Sequence, residues 1–73
     1  LSKIPYSVET GQNITISIFD LKGRQIQTLV NHYHAPGNYL RNFAVKNNIS
    51  SGIYFVLLQN KDGIQTQKIV LTK

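Results

Sequence analysis

The segment Ile14-Thr-Ile-Ser-Ile-Phe-Asp-Leu-Lys-Gly-Arg24 decides the fold. Ile14, Ile16 and Ile18 alternate with Thr15 and Ser17. This period of two lays one apolar face on a core and leaves the other half in water. Asp20-Leu-Lys-Gly23 then stops the run, with Asp at the first and Gly at the fourth position. That order suits a type I turn followed by a left-handed residue. A strand and a tight turn call for a returning strand, and Arg24-Gln-Ile-Gln-Thr-Leu-Val30 supplies it.

The same grammar continues outward. Upstream, Ile4-Pro-Tyr-Ser-Val8 is extended, and Pro5, which has no N–H, belongs at a sheet edge. Downstream, Tyr39, Arg41, Phe43 and Val45 share one face of a further strand. Ile53-Tyr-Phe-Val-Leu-Leu58 is apolar on both faces and is expected at the centre of a sheet. Ile64 to Thr72 returns from it and ends in Ile69-Val-Leu71. Between these runs, Pro36-Gly37 suits a type II turn and Asp62-Gly63 a type I′ hairpin. Asn47-Asn48 and Ser51-Gly52 flank a short connection. Nine Ile, five Val and five Thr against two Ala favour strand over helix. The expected fold is all-β: a small antiparallel immunoglobulin-like β-sandwich of six to seven strands, without a helix. It forms a single module over residues 1–73.

Length and composition remove several function classes. Seventy-three residues suit one domain. A domain of this size buries only about 60% of the surface its unfolded chain exposes. Zero Cys excludes disulfides, thiolate zinc sites and Cys nucleophiles. The chain also has no Met and begins Leu-Ser-Lys, which points to a piece of a longer protein. Eight basic residues against three acidic ones give a net charge of +5. No two cations are adjacent in sequence, so they read as a solvated, edge-protecting surface and not as a nucleic-acid face. The longest apolar run, Ile53 to Leu58, is far shorter than the ~18–20 residues of a membrane-spanning helix, so no membrane insertion is expected. Leu1 to Val8 contains Pro5 and no apolar core of a signal peptide.

Little in the chain resembles catalytic chemistry. Glu9, Asp20 and Asp62 are far apart in sequence and make no acid/base pair. Neither a nucleophile elbow nor a phosphate-cradling Gly-rich loop occurs. His32 and His34 would share one face of a strand, as two ligands of a metal ion do. A structural zinc needs four, however, and a solvated loop or strand end is the plainer reading. No catalytic residue, metal or cofactor is therefore assigned. Asn13-Ile-Thr15 and Asn48-Ile-Ser50 match the glycosylation triplet, which matters only on a eukaryotic secretory route. Tyr6 and Tyr54 are expected in the core with their hydroxyls at its edge. Tyr33 and Tyr39 flank a His-Ala-Pro-Gly loop and are the candidates for an exposed sugar-stacking pair.

Taken in order, several short motifs become more specific than any one of them. They are Ile4-Pro-Tyr6, the segment Ile14 to Arg24, Leu29-Val30, Ala35-Pro-Gly37, Ser51-Gly-Ile-Tyr-Phe55 and Gln67-Lys-Ile-Val-Leu-Thr-Lys73. This order resembles the C-terminal sorting domain of cargo of the type IX (Por) secretion system. It is similar also to the Ig-like domain of the flagellar hook-capping protein, although Phe43 stands where many relatives carry Trp.

The resemblance implies a routing label at the C-terminal end of a larger secreted protein of a Bacteroidetes-type Gram-negative bacterium. Its partners would be the outer-membrane translocon, the processing machinery and a covalently linked N-terminal cargo domain. The destination would be the cell surface or the medium. The residues it carries over are Asp20, Gly23 and Arg24 in the first turn, and Ser51, Gly52 and Tyr54 before the central strand. Lys68, Ile69, Val70, Leu71, Thr72 and Lys73 would meet the translocon. A terminal edge strand offers free N–H and C=O groups for strand addition, and Lys68 and Lys73 would steer towards an acidic receptor. The rival readings are an Ig-like structural spacer or interaction module, and a carbohydrate-binding accessory module of a secreted enzyme.

Overall fold

The computed structural model describes residues 2–43 and 50–71. Six strands form among them: β1 (Ser2–Val8), β2 (Gln12–Phe19), β3 (Gln25–His34), β4 (Gly37–Phe43), β5 (Gly52–Asn60) and β6 (Gly63–Leu71). They make two antiparallel sheets, one of four strands ordered β3-β2-β5-β6 and one of two, β1-β4. The expected all-β sandwich is present, with six strands among the described residues. Val45, assigned above to the face of Tyr39 and Arg41, lies outside them.

The core lies between the two sheets. Ile14, Ile16 and Ile18 of β2 point inward and are the largest fully buried side chains. Beside them on β5 are Tyr54, Val56 and Leu58, with Val30 on β3 and Ile69 on β6. From the opposing sheet come Ile4, Tyr6 and Val8 of β1. β5 is central as expected, flanked by β2 and β6. Its second face is also largely apolar, with Phe55 and Leu57 half-buried and Ile53 exposed. Pro5 falls on β1, which among the described residues pairs only with β4, so its other side suits a residue without an N–H.

The pairing of β2 with β3 is interrupted twice. Ile16 faces Val30 but Ser17 faces Thr28, and Ile18 faces Gln27 but Phe19 faces Gln25. Leu29 and Ile26 are thus extra residues on β3, and both pack against the core. The bulges twist the strand; the first recruits Leu29, which strict alternation from Val30 would have turned outward, and the second returns Ile26 to the core face.

Three turns were read from sequence, and one forms as expected. At Asp20–Gly23, Gly23 N–H donates to the Asp20 carbonyl at 3.1 Å, and Gly23 has φ +82°. A side chain there would be strained, which is why this position is glycine. The type II turn at Pro36-Gly37 does not form. Gly37 has φ +157°, not the roughly +80° of that turn, and begins a strand in the other sheet. The segment is a crossover and not a hairpin. Likewise, the β5–β6 hairpin loop is Lys61-Asp62, because Asn60 pairs with Gly63. Neither loop residue has positive φ, so a type I′ turn is excluded, and the positive φ (+141°) falls on Gly63.

Candidate functional site

The residues singled out above come from three separate stretches, and the register brings them to one end of the four-stranded sheet. Phe19, just before the Asp20 turn, faces Phe55. Phe55 in turn faces Lys68, Tyr54 faces Ile69, and Gly52 faces Leu71. The first turn, the start of β5 and the end of β6 are therefore neighbours. Thr72 and Lys73 lie outside the described residues.

Asp20 organises the turn. Its Oδ1 accepts the backbone N–H groups of Lys22 and Arg24, each at 2.9 Å, and its Oδ2 accepts Arg24 Nε–H at 2.8 Å. The backbone N–H of Arg24, ahead of its guanidinium, holds this carboxyl below the ordinary carboxylate range, against a smaller opposing cost of desolvation. A carboxyl lowered on folding stabilises the fold above its unfolded-state value, and the contribution disappears as pH falls through the folded value. The expected result is that Asp20→Asn lowers the urea midpoint at neutral pH, and that the gap to the parent chain closes in strong acid. A gap that persists unchanged in acid would contradict this.

Before the central strand, Tyr54 O–H donates to the Ser50 carbonyl at 2.7 Å. Tyr39 repeats the device by donating to the Ala35 carbonyl at 2.6 Å. In both, a Gly-x-Tyr step follows the acceptor by two residues, and the tyrosine ties its strand to the incoming crossover (compare the tyrosine corner of immunoglobulin-like folds). Gly52 has φ +152°. Ser51 is exposed, and the acceptor of the tyrosine is its neighbour Ser50, which sequence reading did not select.

The histidines are not a solvated pair. Both lie on β3, their rings stack at 4.4 Å, and His34 is only 2% exposed. The His32 carbonyl lies 3.0 Å from His34 Nδ1, so that nitrogen carries the proton. His34 Nε2 then accepts Tyr6 O–H at 2.8 Å, and the Tyr6 oxygen accepts Arg41 Nε–H at 3.1 Å. This polar chain joins the two sheets through the core. Tyr39 is stacked on Tyr6 at 5.4 Å and tied by its hydroxyl, whereas Tyr33 is 65% exposed. The proposed sugar-stacking pair is therefore not formed: one ring faces the core and the other faces water. Among the described residues, no three His, Cys, Asp or Glu side chains converge as a metal site would require.

The fold places the scattered charges at both ends of the sandwich, with Lys61 beside Asp62 in the β5–β6 hairpin. Lys68 lies at the end just described, across β5 from the strand that leads into the Asp20 turn with its Lys22 and Arg24. Asp20 is held by Arg24. The other two acids, Glu9 and Asp62, line an open polar cleft at the opposite end, beside the β5–β6 hairpin. Among the described residues β6 is an edge of its sheet; it is exposed along Gly63–Lys68, with Ile69 buried in the core.

Comparison with known proteins completes the picture. The family model described as the secretion system C-terminal sorting domain matches residues 2–72. No curated protein and no solved structure matches the chain. The match spans β1 to β6, including the ordered turn, the Gly-x-Tyr step and the terminal edge strand, and the chain belongs to the C-terminal sorting domains of the type IX (Por) secretion system, which act as signals for export.

Proposed function

We propose that this chain is the C-terminal module of a larger exported protein, and that the outer-membrane translocon recognises it through its last strand, Lys68 to Lys73. The sorting role itself follows from the family, and it implies interaction with the type IX machinery, attachment to cargo and export to the cell surface or beyond. In the finer reading, the N-terminal cargo supplies any activity, and processing enzymes release or attach it after passage.

The observation that carries this reading is the position of β6. It ends beside the Gly52–Tyr54 step, at the same end of the sheet as the Asp20 turn, and among the described residues no strand pairs with its other side. A sorting domain is not itself a catalyst, and Asp20, Gly23, Arg24, Gly52 and Tyr54 have structural work to do. No observation favours a spacer or a sugar-binding module.

The test is deletion of Ile69–Lys73 from the chain fused to the end of an inert reporter, in a cell with the type IX system. The expected result is a reporter retained inside the cell. Export at the undeleted level would sink the assignment of recognition to the last strand.

A further inference from the structure

The four-stranded sheet has two edges that differ in quality. β3 carries the two bulges, which twist an edge and interrupt the even row of backbone groups. β6 pairs with β5 from Gly52↔Leu71 to Asn60↔Gly63 without a single shift. In the smaller sheet, β1 is interrupted by Pro5 and β4 is shorter than β6. The longest regular edge in the described structure is therefore that of β6.

Its hydrogen-bonding phase can be derived. Asn60 and Gly63 close a two-residue loop, and such a pair exchanges both of its hydrogen bonds. From Gly63 the phase alternates, so Gln65, Gln67, Ile69 and Leu71 bond β5. Ile64, Thr66, Lys68 and Val70 aim their N–H and C=O groups away from the sheet. The same four residues place their side chains on its outer face, opposite Gln59, Leu57, Phe55 and Ile53. Along that face the edge reads apolar, hydroxyl, cation, apolar. Ile64 and Val70 are 60% and 62% exposed.

We infer that the outer edge of β6 takes an extended acidic segment of the secretion machinery as a fifth, antiparallel strand. The inference rests on the reading of the last strand as the recognised one, and adds how it is recognised. Main-chain bonds to Ile64, Thr66, Lys68 and Val70 supply affinity, and alternate side chains supply specificity. Read along the partner, the order is apolar against Val70, acidic against Lys68, small or β-branched against Thr66, and apolar against Ile64. The sign of the partner follows from Lys68, the one charged side chain among the four outward residues, and from the net charge of +5 on the chain.

Thr66→Pro tests the mechanism. It removes an outward N–H and blocks strand addition, yet takes no bond from β5. In the reporter fusion, the expected result is a folded, protease-resistant domain whose export falls roughly tenfold or more. A folded Thr66→Pro domain exported at the normal level overturns strand addition. If deletion of Ile69–Lys73 blocks export while folded Thr66→Pro does not, only strand addition fails. If the deletion leaves export intact, recognition through the last strand itself fails.

A second measurement decides the matter should Thr66→Pro not fold. The chain has no Cys, so Thr66→Cys and Thr28→Cys each carry a single benzophenone maleimide in the exporting cell. A secretion component captured from position 66 and not from position 28, on β3, is the expected outcome. No adduct at 66 with export intact, or equal adducts at both positions, contradicts the inference.

Discussion

Ile16→Ala is expected to lower the unfolding free energy by about 3 kcal/mol, within the 2–5 range of buried Ile truncations. Ile16 is 0% exposed, lies on β2 between β3 and β5, and faces the covering sheet. Its neighbours do not collapse easily into the space, because Ile18 is held by strands on both sides and Ile14 is paired with β3 and fully buried. Native domains hold roughly 0.05–0.15 kcal/mol per residue, so a chain of 73 has about 4–11 in total. One truncation thus removes a quarter or more of the margin. Urea denaturation measures it, with Ile64→Ala as the comparator because that side chain is 60% exposed. Equal shifts for the two variants would mean that the core is not centred on β2.

The polar chain through the core gives the second large effect. His34→Phe keeps most of the ring volume but removes the acceptor of Tyr6 O–H and the donor to the His32 carbonyl. Leaving a buried donor unmet costs about 1–3 kcal/mol. Tyr6→Phe costs a similar amount, because His34 Nε2 and Arg41 Nε lose their shared partner. The double variant leaves no mismatched hydroxyl and imidazole facing each other. It should be more stable than the sum of the single losses predicts, by about 1 kcal/mol. A double-mutant cycle in urea reads this coupling. Strict additivity would show that the hydrogen bond makes no cooperative contribution to joining the sheets.

Local chemistry was legible wherever the deciding residues are neighbours. The alternation of Ile14, Ile16 and Ile18 and the doubly apolar Ile53 to Leu58 assign the inner strands. Asp20 and Gly23 assign a turn whose partners are all within four residues. What was not legible depends on contacts distant in sequence. Tyr6 lies 28 residues from His34 and 35 from Arg41, and no periodicity links them. The bulges at Leu29 and Ile26 break the period of two, and they are defined only by the register with β2. Pro36-Gly37 carries ordinary turn chemistry, but its strands belong to different sheets, and that is a property of the whole fold.

The candidate site shows the same division. The terminal strand and the motif residues could be named from the chain, but not their meeting at one end. The Asp20 turn and Lys68 are far apart along the sequence, and β2, β5 and β6 must pair before they come to one end of the sheet. The missing Cys also acquires a use, since single thiols can be placed without competition.

The central claim is that this folded sandwich is itself the export signal. The most direct measurement attaches residues 1–73 to the end of a reporter that otherwise stays in the periplasm, in a cell with a working type IX system. The expected result is reporter at the surface or in the medium, and none there when that system is disabled. A reporter that stays in the periplasm although the attached domain is folded would contradict the claim.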